Sequence, residues 1–414
     1  MKTTGARQRG RAVIAGCAIL LVAALFAGGA TGAPGKSQAT AVSVTVGVLP
    51  IANTLPLDLG IKKGFFEQQG IEIKKITAQS GNDIMLGLAN SNIDVGFAGW
   101  VPAMIARTSG IPISVVALSE VESTDQASNW QNILVKGSSS IRTPADLAGK
   151  TIAVNALKGV GEVMIRAALD KVGVDQSSIK LLALPFPAMR AAINSGQVDA
   201  IWTPEPFLSQ VLSDGGRTVL APGPVLGKYF PIGGYFVRTD WVAKNGDVAA
   251  RFRTAMNQSL EYSQNHGDEI RDLLPAASRN IRLPIWTTVM NRAQVLQLAQ
   301  YAKKYGVINS LPNFTQFVPS SIDGGKILQA TLGRQFITIR QDGKVVASVK
   351  PGKYSIIVAD TSNTQGFRLV GPGVTKVTAV KGMGKTTWNV TLKKGRYVYS
   401  STARPGGKKT LKVA

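Results

Sequence analysis

Five short polar loops hold the side chains in this sequence best suited to gripping a small molecule. They are Asn53-Thr54, Gln79-Ser80-Gly81-Asn82, Gly99-Trp100, Asn155 through Gly161 (NALKGVG) and Trp202 through Glu205. Most stand directly before a segment of helical spacing. A helix start has unpaired N–H groups and a partial positive charge, so it favours an anion or a polar acceptor. Asn, Ser and Thr at such places also serve as plain helix caps. One helix terminus contributes about 0.3–1 kcal/mol, up to about 2 when partly buried, whereas a micromolar ligand needs about 8 kcal/mol. Contacts from several loops must therefore converge, which calls for a cleft that closes. Trp100, Trp202 and Tyr235, with Trp130, are the aromatic candidates to wall it.

Several chemistries are disfavoured by what the chain lacks. Cys17 is the single cysteine and lies in the apolar leader, so thiol nucleophiles, disulfides and thiolate metal sites drop out together. The single histidine, His266 in YSQNHGDEI, reads as a surface residue near a helix end. No carboxylate pair stands out as an acid/base couple. Glu205 sits between two prolines, and Asp94 and Asp199 open strands. NALKGVGE lacks the Gly-Lys-Ser/Thr of a phosphate loop.

The elements that must position these loops come from a pattern that occurs twice. DIMLGLANSNIDVGFAG (Asp83–Gly99) and AMRAAINSGQVDAIWTPEP (Ala188–Pro206) each read as a helix, an Asn-Ser stop, a β-branched residue with Asp, and a buried strand. In open α/β sheets ligands sit at the carboxyl ends of the strands, so two such units imply two similar lobes facing each other. VSVTVGVL (Val42–Leu49) reads as a strand, Pro56–Gly70 as a helix and Ile71–Ala78 as a strand. ISVVALSE and NILVK continue the first lobe. KTIAVN, a helix over Gly161–Gly173 and a strand over Ile179–Leu184 open the second. Gly234–Val242 reads as a strand returning to lobe one, with helices over Asp247–His266, Thr287–Met290 and Ala293–Tyr305 on its outside.

The ends differ from the middle. Lys2, Arg7, Arg9 and Arg11 precede an apolar run, Ala12–Ala27, and Thr31-Gly32-Ala33 offers a cleavage site, so residues 1–33 read as an export signal and 34–41 as a linker. Retention of the run as an anchor is the alternative, and Ile14–Cys17 superficially spells a lipoprotein box. The formal charge of +23 is uneven. Residues 325–414 carry 17 basic and 2 acidic side chains, net +15, against +4 for residues 34–324. From Gln335 the chain consists of short β-branched and aromatic runs between turn residues, the pattern of a small β-sandwich. Its basicity predicts contact with an anionic membrane surface or cell-wall polymer through Lys393, Lys394, Arg396, Arg404, Lys408 and Lys409. An exported protein makes nucleic acid an improbable partner.

KKGFFEQQGIEI, GLANSNIDVGFAG, TPADLAGKTIAV and GQVDAIWTPEPF, in that order, resemble the extracytoplasmic substrate-binding proteins of ABC importers that take up nitrate, taurine and other sulfonates, with thiamine-pyrimidine relatives. The similarity spans about Val42–Phe317. It implies a type II periplasmic-binding-protein fold, an α/β architecture of two lobes. Lobe I covers about 42–140 and 233–318, and lobe II about 141–232. It further implies a monomer that works outside the cytoplasmic membrane with a permease and its ATPase, without catalysis or cofactor. Family ligand contacts come from loops after strands, which puts forward Asn53, Thr54, Ser80, Gly99, Trp100, Asn155, Gly159 and Trp202, with Glu205 and Tyr235 beside them. The tail, about Gln335–Ala414 after a linker at 319–334, looks like a bacterial cupredoxin whose ligand positions hold Gln365, Ser401, Arg404 and Gly407, none of the His, Cys or Met of a blue-copper site. An immunoglobulin-like spacer is the plainer reading. Two other functional classes remain: a secreted pyrimidine-synthase-like enzyme, against which the shortage of His and Cys counts, and a surface-attached sensory or structural binding protein.

Overall fold

A computed structural model describes residues 41–414 apart from 320–321, 323–325, 334–335, 342–343, 363, 379–383 and 404–406. The expected export signal, most of the linker after it, and Arg404 lie outside the described residues. Thr40–Ala414 forms one compact unit.

Two α/β lobes each hold a five-stranded sheet. In the first, Ile71–Thr77, Val42–Val48, Val95–Gly99, Gly233–Arg238 and Ile113–Leu118 lie side by side in that order, and only Gly233–Arg238 runs antiparallel to its neighbours. In the second the order is Arg217–Leu220, Gln131–Val135, Ala200–Pro204, Thr151–Val154 and Lys180–Ala183. There Gln131–Val135 is antiparallel to both neighbours. The two antiparallel strands are the ones the chain enters after crossing between lobes, once through residues 119–130 and once through 221–232. Val95–Gly99 and Ala200–Pro204 are buried along their whole length, as strands covered on both faces must be.

The doubled pattern has one physical cause. Asp94 Oδ2 accepts the backbone N–H of Thr45 at 2.8 Å, and Asp199 Oδ2 accepts that of Thr151 at 2.8 Å. Each Asp ties the start of its own strand to the parallel strand beside it. The helices before them end at Asn90 and at Gly196, the latter at φ +77°.

Four expectations are corrected. Gln131–Val135 (NILVK) pairs in the second sheet, so lobe II begins near residue 131 and not 141; an apolar run does not say which sheet edge it will find. The Pro56–Gly70 helix is shorter, Leu55–Lys62, because Gly64 at φ +72° turns the chain and tucks Phe65 and Phe66 into the core. The Gly234–Val242 strand ends at Arg238, where the helix Thr239–Lys244 begins. Thr287–Met290 is not helical: Thr287 Oγ1 accepts from the Val289 N–H at 3.0 Å, and Ile285–Trp286 pairs as a strand with Glu120–Val121. Such a side-chain to backbone bond competes with helix.

The tail is two five-stranded sheets packed face to face, with no closed barrel. One orders Lys344–Val345, Ile337–Gln341, Lys326–Leu332, Gly352–Asp360 and Gly384–Leu392. The other orders Ser348–Val349, Lys409–Val413, Gly395–Ser401, Phe367–Gly371 and Val374–Val377. Lys326–Leu332 is a strand inside the segment read as linker, paired in parallel with Gly352–Asp360. Leu328, Ile339, Ile356, Val358 and Trp388 from one sheet meet Phe367, Leu369, Tyr397, Tyr399 and Leu411 from the other. Ile357 faces the opposite way to Ile356 and Val358. It is buried against Val121, Tyr229 and Ile285 of the lobes.

Candidate functional site

Between the lobes lies a cleft of about 440 Å³, part of it open to solvent. Four helices begin at its wall: Gly81–Ala89, Trp100–Thr108 behind its N-cap Gly99, Val160–Lys171 behind its N-cap Gly159, and Phe186–Ser195. The first two belong to lobe I and the last two to lobe II. Leu49, Ile51, Phe97, Val160, Phe186 and Ile232 supply apolar wall, and among the described residues none that lines it carries a charge. Asn53, Gln131 and Asn155 supply amides. The lobes touch across the cleft: Asn82 Nδ2 donates to the Leu157 carbonyl at 3.2 Å, and a Cβ on Gly99 would stand 2.8 Å from Val160 Cγ1.

Of the residues put forward from sequence, Asn53, Gly99, Asn155, Gly159 and Trp202 line this cleft. Asn53 Nδ2 donates to Glu120 Oε1 at 2.8 Å, which holds the side chain, and its backbone carbonyl accepts from Trp286 Nε1 at 3.1 Å, which holds the main chain. Trp202 packs over Phe186, ring centroids 6.3 Å apart. Gly161 must lack a side chain here, since a Cβ would meet the indole at 2.6 Å. Asn53 Oδ1 and Trp202 Nε1 are buried without a hydrogen-bond partner among the described residues. The wall therefore holds one spare acceptor and one spare donor.

The other five do not line it. Thr54 turns its hydroxyl onto the carbonyls of Leu49 and Ile51, 3.1 Å each, closing its own turn. Ser80 is a helix cap, accepting from the Asp83 N–H at 3.2 Å. Trp100 is core, edge-on to Phe236 at 5.2 Å and to Phe317 at 5.9 Å. Tyr235 is core between Phe97 and Phe252. Glu205 is structural: its carboxylate accepts from Ser209 N–H (3.0 Å), Ser209 Oγ (2.7 Å) and Arg282 N–H (3.1 Å), while burial pushes its pKa up. Trp130 is also buried, donating to the Val121 carbonyl at 3.2 Å.

Two residues that sequence reasoning passed over are Glu120 and Glu122, both fully buried where the chain crosses between lobes. Burial raises the Glu120 pKa to about 7, against the opposing hydrogen bonds of Ser119 and Asn53. Burial raises that of Glu122 to about 8, with the neighbouring Glu120 charge adding to it. Gln131 Nε2 donates to Glu122 Oε1 at 2.7 Å. Neither carboxyl lines the cleft, so each acts through Asn53 or Gln131. The available signal was the charged alternation of SEVES directly after the apolar ISVVAL.

Among the described residues no cluster of His, Cys, Asp and Glu could hold a metal ion. In the tail, Ser401 Oγ donates to Gln365 Oε1 at 2.5 Å, so two of the four supposed ligand positions meet as a neutral hydrogen-bonded pair.

The model of the family described as "NMT1/THI5 like" matches residues 52–270, more than half of the chain. The chain belongs to the NMT1/THI5-like family. A Bacillus subtilis (strain 168) protein assigned to binding aliphatic sulfonates is 31% identical over 264 residues, covering 62% of this chain and 76% of that protein. The taurine-binding periplasmic protein of Escherichia coli (strain K12) is 26% identical over 231 residues, covering 55% and 69%. Among solved structures, the alkanesulfonate-binding protein of Xanthomonas axonopodis pv. citri bound to MOPS superposes with a TM-score of 0.56 at 23% identity, over 69% of this chain and 98% of that one. The periplasmic nitrate-binding protein of Synechocystis PCC 6803 gives 0.58 at 14% identity, over 68% and 87%. These two share the fold. The tail lies beyond the family match.

Proposed function

We propose that this family member is the solute-binding component of an ABC importer and captures a small organic sulfonate between its lobes. One observation carries the reading: four helix N-termini, two from each lobe, open on an apolar cleft without a charged wall residue. The helix starts suit a singly charged anion. The six apolar side chains suit a carbon chain, and a bare nitrate or bicarbonate would leave them without use. The relatives' names point to the same class. The ligand is then handed to a permease and its ATPase by a monomer working outside the cytoplasmic membrane, its basic tail turned towards an anionic surface and carrying no copper. Thermal-shift titration with alkanesulfonates, taurine, nitrate and bicarbonate tests the ligand class. A sulfonate at a hundredfold excess over its dissociation constant adds about 2.7 kcal/mol, a rise of a few degrees. A shift with nitrate or bicarbonate alone would refute the sulfonate reading, and no shift with any of the four would refute the anion site.

A further inference from the structure

The sandwich has two outer faces with different fates. The face bearing Ile357 is closed by Val121, Tyr229 and Ile285 of the lobes. The opposite sheet, Ser348–Val349 through Val374–Val377, therefore turns its outer face away from them. Its five strands contain five basic side chains and no acidic one. Alternation along the strands puts Arg368, Arg396 and Lys412 on that outer face, since Tyr397, Leu369 and Leu411 point into the core. Arg396 and Lys412 are directly opposite each other in the ladder. Like charges so placed repel, and among the described residues no carboxylate pairs with either. Both side chains are exposed, so an external anion can reach them and relieve that repulsion.

We propose that this face docks on an anionic phospholipid bilayer. The inference rests on the reading that the basic tail meets an anionic surface, and it names the face and the surface. Five strands at about 4.8 Å spacing make a patch about 20 Å wide. Val370, Val398 and the half-exposed Val377 stand among the cations on the same side. A headgroup interface accommodates such a mixture of valines and cations, whereas a fully hydrated polyanion has no use for the valines. Of the six cations expected from sequence, Arg396 is on this face, and Arg404 lies outside the described residues. Lys393 and Lys394 precede it in the turn, Lys408 precedes the last strand, and Lys409 opens that strand opposite the inward Tyr399. Arg368 and Lys412 were not among the six.

The test uses the chain from Pro34, whose compact unit holds every core described above. It is sedimented with vesicles of phosphatidylglycerol and phosphatidylcholine, and with phosphatidylcholine alone, at low and high salt. Each cation near an anionic surface is worth about fivefold in binding, so R368Q/R396Q/K412Q should lower binding about a hundredfold. R340Q/K344Q/K353Q, which removes the same charge from strands of the other sheet, should stay within about threefold, and added salt should release the unmodified chain. An unchanged sulfonate-induced melting shift in both variants shows the lobes intact. Equal losses in the two variants would overturn the face while leaving a basic tail that meets anionic surfaces. No salt-dependent binding to either vesicle would overturn both. Salt-dependent capture by soluble polyphosphate without binding to vesicles would assign the face to a polymer and overturn the bilayer.

Discussion

Asn53 donates to Glu120 at 2.8 Å, which ties a side chain in the cleft wall to a carboxyl buried between the lobes. The amide nitrogen is used by the carboxyl, so the amide oxygen is the atom left over for a ligand. Its neighbour in the crossing, Glu122, does the same for Gln131. Two acids with raised pKa values thus orient two amides of the wall.

The first prediction concerns pH. In the unfolded chain both carboxyls ionise near 4.3; folded, they hold their protons to about 7 and about 8. Between those limits the native state binds more protons than the unfolded state, so stability falls as pH rises, by at most about 1.4 kcal/mol per pH unit for each group. Glu205, also raised by burial, adds in the same direction. The melting temperature should drop from pH 5 to pH 8, and E120Q/E122Q should lose most of that slope. Calorimetry across the range checks it; an unchanged slope in the variant would place the titration elsewhere.

Closure is tested at Gly99. Its φ of −63° suits any residue, so Gly99→Ala strains nothing locally. The added Cβ meets Val160 across the cleft. Affinity for the cognate ligand should fall at least tenfold, about 1.4 kcal/mol. V160G should restore affinity in the double variant by opening that space. Isothermal titration measures both, and loss without rescue would mean that the lobes do not meet there.

Asn155 and Trp202 separate contact from packing. Asn155 is half-buried, so Asn155→Ala should cost affinity while moving the apo melting point by no more than a few degrees. Trp202 is 1% exposed, and truncation to Ala would open a cavity at about 3–5 kcal/mol. Trp202→Phe keeps most of the ring and removes the unpartnered Nε1–H. It should weaken a sulfonate about tenfold and leave stability within about 1.5 kcal/mol. Equal affinity in Trp202→Phe would show that the indole only packs.

The joint between sandwich and lobes rests on Ile357. Ile357→Asp buries an unpaired charge against Val121, Tyr229 and Ile285, which the interface avoids by separating. Cleavage by protease between residues 319 and 326 should accelerate, and the radius of gyration should increase. Protection equal to that of the unmodified chain would show that this contact does not hold the two parts together.

What was legible in the sequence is local. The Asp94 and Asp199 units stood out because a helix period, a stop and a strand each span about ten residues, and because each Asp answers to a backbone N–H one strand away. The uneven charge and the strand grammar of the tail belong to the same class, as does the placing of Asn53, Asn155 and Gly159 on loops before helices. The tertiary structure decided what depends on distant partners. Trp100, just after the strand Val95–Gly99, and Trp202, inside the strand Ala200–Pro204, follow the same doubled pattern, yet one is sealed by Phe236 and Phe317, which come from residues far along the chain, and the other lines the cleft. Gln131–Val135 changed lobes because its ladder partners, Ala200–Pro204 and Arg217–Leu220, lie more than sixty residues downstream. Glu120 and Glu122 look like surface residues in sequence, and only the crossing of two segments between the lobes removes them from water. Periodicity reports which side of an element is apolar; which neighbour covers that side is set by non-local pairing, and no window of sequence contains it.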